Sequence, residues 1–269
     1  MGCAASEIRY GGIDELPDSS DNKQFDEIMR DRENVDFNEA LEGLFKFGSD
    51  FTEVLPRELP KDLSKVCFLC INTFCPSEQI HSSKALFDAS KNARNMKQIG
   101  YDVFYLINPV STSFLTFLRV FLSRTYISLV FCLHGYAGID ESINGDCFMF
   151  FSDRNISFKT IKQFIDSYKR KTNRLLVLLD IHNNLNIQSE EQRMVLTAPR
   201  NTVIFYINQI SNAPCCVFGV LSHLFWDVYS SGITIDDIVA EMKSKLEPIG
   251  MALEIVIGDE LSPKEQIIC

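Results

Sequence analysis

Two histidines follow apolar runs at points where a strand would end. His134 comes directly after Phe131-Cys132-Leu133, and His182 stands two residues after Asp180, which closes the run Leu175–Leu179. Imidazole is the side chain that most often transfers protons in catalysis, and a neighbouring carboxylate can orient it. If the two runs are adjacent parallel strands, the polar residues after them share one edge of the sheet. The spacing therefore indicates a crevice that holds both histidines.

Cysteine thiols offer a second kind of chemistry. The nine cysteines lack the dense, regular spacing of a small secreted scaffold, so we expect reduced thiols and no disulfide. Cys67 and Cys70 form a C-x-x-C pair inside an apolar run, where two small core residues are a simpler interpretation than a redox site. Cys215-Cys216 precedes a predicted helix, a position that can activate a thiol, although ordinary packing is the default there.

Several kinds of ligand site are not supported by the sequence. His134, His182, Asp180 and Cys147 are of types that bind zinc, but they have no short-range ligand spacing, so we predict no metal site. The segment 72–76 after the first strand has no glycine, which argues against a phosphate-binding loop. The net charge is −10 without a local basic patch, so we expect no nucleic-acid partner.

The first residues fit a lipidation pattern. Met1-Gly2-Cys3-Ala4-Ala5-Ser6 predicts myristoylation of Gly2, and Cys3 offers a site for palmitoylation. Residues 1–60 carry six Lys and Arg against fifteen Asp and Glu, so an anionic membrane would repel this segment. Because one myristoyl chain binds membrane only marginally, the second acyl chain is needed for stable anchoring. We therefore expect a cytoplasmic protein attached to the cytosolic face of a membrane.

The acidity of residues 1–60 separates this segment from the rest of the chain. Apolar residues between 25 and 45 recur at helical intervals, which predicts one or two short amphipathic helices. The prolines in Leu55–Pro60 then indicate a linker. The remaining residues, 61–269, are close to neutral and form a second unit in this interpretation.

Within residues 61–269, short apolar runs alternate with longer amphipathic stretches. This alternation is typical of an α/β fold with a mostly parallel sheet. The predicted strands are Val66–Ile71, Asp102–Ile107, Ile127–Leu133, Cys147–Phe151, Leu175–Leu179, Val203–Ile207 and Leu253–Ile257. The predicted helices are Lys84–Ile99, Ser113–Ser123, Phe158–Lys169, Val217–Tyr229 and Ile235–Leu246.

Taken together and in order, several of these segments resemble the caspase and metacaspase family of cysteine peptidases. Phe131–Gly135 is similar to the strand that ends at the catalytic histidine, and the loop Asp140–Asp146 with Phe148–Asp153 is similar to the element after it. Lys91–Met96 resembles the metacaspase motif Asn-Asp-Ala-x-Asn-Met. Leu176–Asp180 resembles the strand before the nucleophile, written Asp-x-Cys-His-x-Gly. The resemblance implies a three-layer sandwich with helices on both faces of the sheet, and the helical periodicity between residues 25 and 45 adds a short N-terminal helical segment.

The departures from the family pattern bear on activity. In the register of the resemblance the nucleophile position is His182, and no cysteine lies between Cys147 and Cys215. Imidazole is a poor substitute for a thiolate in peptide cleavage. Asn92 replaces the aspartate that the resemblance assigns to binding a basic substrate residue, while Asp180 remains as the second acidic wall. The glycine after the nucleophile is also missing, so the oxyanion-binding turn is in doubt.

We therefore predict a catalytically degenerate peptidase homologue that binds a protein or peptide. The resemblance suggests an active relative, or a substrate segment held without cleavage, as the partner. It implies no cofactor, although it allows calcium. The alternative is an active cysteine-type endopeptidase with His134 as base and Cys215 or Cys216 as nucleophile. An unrelated open-sheet module is a weaker third interpretation.

Overall fold

The computed structural model describes most of the chain from residue 36 onward. The described residues are 36–52, 56–75, 80–81, 83–140, 146–169, 174–183, 198, 200–209, 220–249, 251–266 and 268. Gly2 and Cys3 lie outside these ranges, as do Cys215 and Cys216. The lipidation sites and the alternative thiols therefore stay predictions.

Helices and strands alternate along the described ranges. The helices are α1 (Phe37–Phe47), α2 (Ser83–Gln98), α3 (Ser111–Arg124), α4 (Phe158–Tyr168), α5 (Val220–Val228) and α6 (Ile235–Leu246). The strands are β1 (Ser49–Asp50), β2 (Leu63–Ile71), β3 (Phe74–Cys75), β4 (Ile80–His81), β5 (Asp102–Ile107), β6 (Thr125–Asp140), β7 (Asp146–Phe150), β8 (Asn155–Ser157), β9 (Arg174–Asn183), β10 (Thr202–Gln209) and β11 (Met251–Ile257). Within these described segments, no helix has the length and apolar character needed to cross a bilayer.

The central sheet has the strand order β1-β5-β2-β6-β9-β10-β11. All neighbours along this order are parallel except β10 and β11, which are antiparallel. The hairpin β7–β8 extends the end of β6 with antiparallel pairing. The prediction of an α/β sandwich around a mostly parallel sheet is therefore confirmed.

Strand side chains alternate between two buried cores, because successive residues of a strand point to opposite faces. Cys67 and Leu69 of β2 lie in the core under α1, α2, α5 and α6, which we call the four-helix face. Phe68 and Cys70 lie in the core under α3 and α4, which we call the two-helix face. Parallel strands buried on both faces read as continuous apolar runs, which is why the sequence predicts them.

Two central strands run further than predicted. The sequence predicts strand ends at Leu133 and Leu179, but β6 continues to Asp140 and β9 to Asn183. Their mutual pairing extends to the pair Ala137 and Asn183, and β6 continues to Asp140 because it also pairs with β7. Glycine and polar residues in these extensions interrupt the apolar pattern, so the longer strands are not visible in the sequence. By contrast, β5 and α6 have the predicted bounds.

The helix α1 is part of the packed body, although it belongs to the acidic segment. The Asp36 side chain accepts hydrogen bonds from two backbone N–H groups of the first turn and caps the helix. Ala40 and Leu44 are buried in the core of the four-helix face, and β1 pairs with β5. The change in composition at residue 60 therefore does not coincide with the edge of the packed body.

The start of α3 is capped from a distant part of the chain. The residue before the helix is Val110, which has no side chain able to accept a hydrogen bond. Asp153, between β7 and β8, instead accepts from the Ser111 backbone N–H at 2.7 Å and from its hydroxyl at 2.6 Å. These hydrogen bonds hold the pKa of Asp153 below its usual value. This carboxylate therefore ties the β7–β8 hairpin to α3.

Candidate functional site

The sheet register places the two predicted histidine positions on neighbouring strands. His134 pairs with Asp180, and His182 pairs with Tyr136 two residues further along. On its other side, His134 pairs with Ile71 at the end of β2. The expectation that the two apolar runs are adjacent parallel strands is therefore confirmed.

The residue after His134 must be glycine in this geometry. Gly135 has a φ of +152°, and a Cβ at this position would lie 2.8 Å from the Cβ of Asn72. The Asn72 N–H donates to the His134 carbonyl at 2.8 Å, which draws the end of β2 against β6. A side chain at position 135 would force these strands apart, so the His-Gly pair has a steric reason.

The imidazole of His134 is buried between a carboxylate and an amide. Its Nδ1 atom lies 3.8 Å from Oδ2 of Asp180. Its Nε2 atom lies 3.1 Å from Nδ2 of Asn92, which reaches across from α2. His134 is 1% exposed and Asn92 is fully buried. Both ring nitrogens therefore face other side chains of the protein interior.

The helix α5 completes this arrangement with two residues one turn apart. Ser222 Oγ accepts a hydrogen bond from Nδ2 of Asn92 at 2.9 Å. The Trp226 indole N–H donates to Oδ1 of the same asparagine at 2.5 Å. We call Asn92, His134, Asp180, Ser222 and Trp226 the buried polar cluster. It joins α2, β6, β9 and α5.

Asp180 serves as an acceptor for the first turn of α5. Its Oδ2 atom accepts from the Ser222 backbone N–H at 3.3 Å. The unpaired N–H groups and the dipole of a helix N-terminus favour a carboxylate at this place. Asp180 is 2% exposed, so the interaction with α5 compensates for the burial of a charged group.

Serine, histidine and aspartate are the residue types of a nucleophilic hydrolase, but their arrangement in this cluster is closed. The amide of Asn92 lies between the Ser222 hydroxyl and the His134 ring. The side chains of Asn92, His134, Asp180 and Ser222 are all nearly or fully inaccessible to solvent. Ser222 is 2% exposed, so among the described residues the cluster acts as a hydrogen-bonded network within the interior.

Burial keeps two of the described thiols in their neutral form. Burial raises the pKa of Cys132 well above its usual value, and the neighbouring Cys67 adds to the increase. Burial also raises the pKa of Cys70 far above its usual range. Cys67 and Cys70 lie on opposite faces of the sheet, so this C-x-x-C cannot close into a disulfide. These cysteines are core residues.

The structure brings together three of the predicted site residues, His134, Asn92 and Asp180. The predicted substrate-binding pair of Asn92 and Asp180 is buried, so its role in binding stays a prediction. Within the described ranges, no group of three or more His, Cys, Asp or Glu side chains is arranged to hold a metal ion.

Sequence reasoning missed Ser222 and Trp226. They lie on a helix 130 and 134 residues after Asn92, and nothing in their local pattern marks them. The one available signal is that Trp226 is the only tryptophan in the chain and lies one turn after a serine.

Comparisons with known proteins show the fold. No protein-family model matches the chain, and no curated protein matches it. Among solved structures, it is similar to the crystal structure of the Drosophila initiator caspase Dronc, with a TM-score of 0.55 and 12% sequence identity. The match covers 74% of this chain and 81% of that chain. The chain therefore has a caspase-like fold, and the resemblance seen in its motifs is confirmed at that level.

Proposed function

We propose that this protein is a caspase-fold pseudopeptidase that binds a protein or peptide at the cytosolic face of a membrane. One observation carries the proposal. The imidazole of His134 is buried, and its Nε2 atom lies within hydrogen-bond distance of the Asn92 amide in the buried polar cluster. At the position of the family nucleophile, the chain has His182.

Peptide cleavage by this fold needs a thiolate and an accessible base. A cysteine nucleophile attacks the carbonyl carbon, and a histidine moves the proton to the leaving amine. In this chain, the aligned strand end offers an imidazole in place of the thiol. The other histidine is buried with both ring nitrogens facing protein groups. An imidazole at the nucleophile position and a buried base would both oppose cleavage, which supports the proposed binding role.

The binding role would use the carboxyl edge of the sheet, where open α/β folds bind their ligands. The partner would be a protein or peptide, either an active relative or a segment held without cleavage. Acyl chains on Gly2 and Cys3 would hold the complex at the membrane, because the acidic residues 1–60 give no electrostatic attraction to anionic lipid.

Cleavage of a fluorogenic peptide library tests the loss of activity. The purified protein, with and without calcium, is expected to release no fluorophore above the level of a His134→Gln control. Cleavage that depends on His134 and is abolished by a thiol alkylator would contradict the proposal. That result would favour the active peptidase with Cys215 or Cys216 as nucleophile, and Cys215→Ser and Cys216→Ser variants would identify the thiol.

Fractionation of cells that express the full chain tests the membrane role. Gly2→Ala is expected to move the protein from the membrane to the soluble fraction, because it removes the myristoyl acceptor. Cys3→Ser is expected to do the same, because a single acyl chain binds only marginally. Retention of Cys3→Ser at the membrane would contradict the two-chain anchor, and retention of Gly2→Ala would contradict lipid anchoring at this site.

A further inference from the structure

We infer that Trp226, acting through Asn92, fixes His134 in one neutral tautomer, with its proton on Nδ1 and its Nε2 lone pair occupied. Trp226 and Asn92 are then positioning residues for the imidazole. This inference rests on the proposed function and deepens it, since it gives a second reason for inactivity that is independent of the residue at position 182.

The first step is the orientation of the Asn92 amide. The oxygen and nitrogen of an asparagine side chain must be assigned from their hydrogen-bond partners. The indole nitrogen of Trp226 is a donor only, and it lies 2.5 Å from the Asn92 terminus. That terminus must therefore be the acceptor, Oδ1, and the NH₂ group must point the other way.

The second step assigns the two hydrogens of that NH₂ group. Nδ2 of Asn92 lies 2.9 Å from Ser222 Oγ and 3.1 Å from His134 Nε2. An amide nitrogen cannot accept a hydrogen bond, so both partners must accept from it. The Nε2 atom of His134 therefore carries a lone pair and no proton.

The third step follows from the chemistry of a neutral imidazole, which carries one proton on one of its two nitrogens. With Nε2 unprotonated, the proton is on Nδ1, and this is the nitrogen that faces Asp180. The carboxylate thus stabilises the same tautomer that the amide selects. A catalytic base has this Nδ1 proton too, but it keeps Nε2 open for the proton of the nucleophile. In this chain, Asn92 takes that place.

Nitrogen-15 NMR of the histidine side chains tests the assignment. The chain has four histidines, and a His134→Gln variant identifies the His134 signals by their loss. In the unmodified protein at neutral pH, long-range proton–nitrogen correlations are expected to show Nδ1 as the protonated nitrogen and Nε2 as the unprotonated one. A protonated Nε2 in this spectrum would overturn the inference before any partner of His134 is substituted.

Two substitutions test the role of the partners. Asn92→Asp places a carboxylate oxygen against Nε2, so the Nε2 signal is expected to shift to that of a protonated nitrogen. Trp226→Phe removes the indole N–H, which frees the amide to rotate and is expected to yield a mixture of tautomers. Tyr229→Phe is the control, because its ring packs on Trp226 at 5.4 Å and its change leaves the amide partners intact.

The inference would also be overturned if Asn92→Asp and Trp226→Phe both leave the Nε2 signal unchanged. Circular dichroism must show that both variants keep the secondary structure of the unmodified protein. The peptide-cleavage assay is read separately. Cleavage by the unmodified protein would refute the proposed function while the NMR assignment stood. If the inference holds, His182→Cys alone stays inactive, because the restored thiol has no open base.

Discussion

The two faces of the central sheet are held by different interactions. On the two-helix face, the Phe68 ring lies 4.9 Å from the ring of Phe121 and 5.6 Å from that of Phe131. On the four-helix face, β2 and β6 carry the small thiols of Cys67 and Cys132. The ends of β6 and β9 then reach the buried polar cluster, where His134 and Asp180 lie side by side. The ends of β6 and β9 therefore add directed hydrogen bonds to the apolar core of the four-helix face, whereas the two-helix face is packed by aromatic rings.

This difference shows why the two faces of this caspase-like fold should tolerate substitutions differently. An apolar stack needs the right volume and tolerates many sequences that provide it. A buried polar network needs each donor matched to an acceptor, since a missing partner leaves a desolvated group. The four-helix face is accordingly where a single substitution can alter chemistry, and the two-helix face is where it alters stability most.

The largest effect is expected from Phe68→Ala. Removing this ring leaves a cavity between β2, β6 and α3, which should lower the free energy of unfolding by about 3–5 kcal/mol. Chemical denaturation measures the change. Phe45→Ala, at a ring that is 56% exposed, is the control and should cost much less. Equal losses for the two variants would show that burial of the Phe68 ring does not stabilise the two-helix face.

A smaller loss is expected from Asn92→Ala on the four-helix face. The substitution removes the partner shared by Trp226, Ser222 and His134, and should lower the free energy of unfolding by about 1–3 kcal/mol. Asn95→Ala, on the same helix and only partly buried, is the matched control and should change it by about 0.5 kcal/mol or less. A loss for Asn92→Ala no larger than that control would show that the cluster contributes no stability.

A pH-dependent effect is expected at the rim of the two-helix face. Because the folded pKa of Asp153 is lowered, its contribution is fully present above its ordinary value near 3.8 and is lost as pH falls through the lower folded value. Urea midpoints measured against pH should therefore drop in this acid range, and Asp153→Ala should reduce the drop. An identical pH profile for the variant would remove Asp153 as the cause.

The smallest effect is expected at the solvent side of α4. Lys162 and Asp166 form an i,i+4 ion pair at 2.7 Å, with Lys162 partly exposed and Asp166 exposed. Lys162→Ala should lower the free energy of unfolding by about 0.3–0.5 kcal/mol, and added salt should erase the difference. Lys159→Ala on the same helix serves as the control. A loss above about 1 kcal/mol would show that surface charge matters more to this face than its apolar stack suggests.

The sequence predicts the central strands and helices because the apolar pattern and the flanking residues of each segment favour one type of element. The run Asp102–Ile107 lies between Gly100 and Asn108-Pro109, and its strand has the predicted bounds. The sequence does not predict β1 and β8, because a strand of two or three residues is too short to show a hydrophobic periodicity. Their places are set by pairing with β5 and β7, which is a tertiary effect.

The candidate site was predicted only in part, for a related reason. His134 and Asp180 are visible as polar residues at the ends of apolar runs, and Asn92 enters through the resemblance of its helix motif. The closure of the site depends on Ser222 and Trp226, which meet Asn92 only in the folded chain. Sequence reasoning could therefore place His182 at the register position of the family nucleophile, but it could not predict that Asn92 lies against Nε2 of His134.

The position of His134 in the sheet also has a dynamic consequence. The strand β6 has β2 on one side and β9 on the other, and the His134 carbonyl accepts from the Asn72 N–H. Backbone groups in the centre of a sheet open to solvent only when the whole domain unfolds. Amide protons around His134 should therefore be among the last to exchange with deuterated water. The backbone that carries His134 then belongs to the most slowly opening unit of the protein, so the buried polar cluster is built on a rigid support.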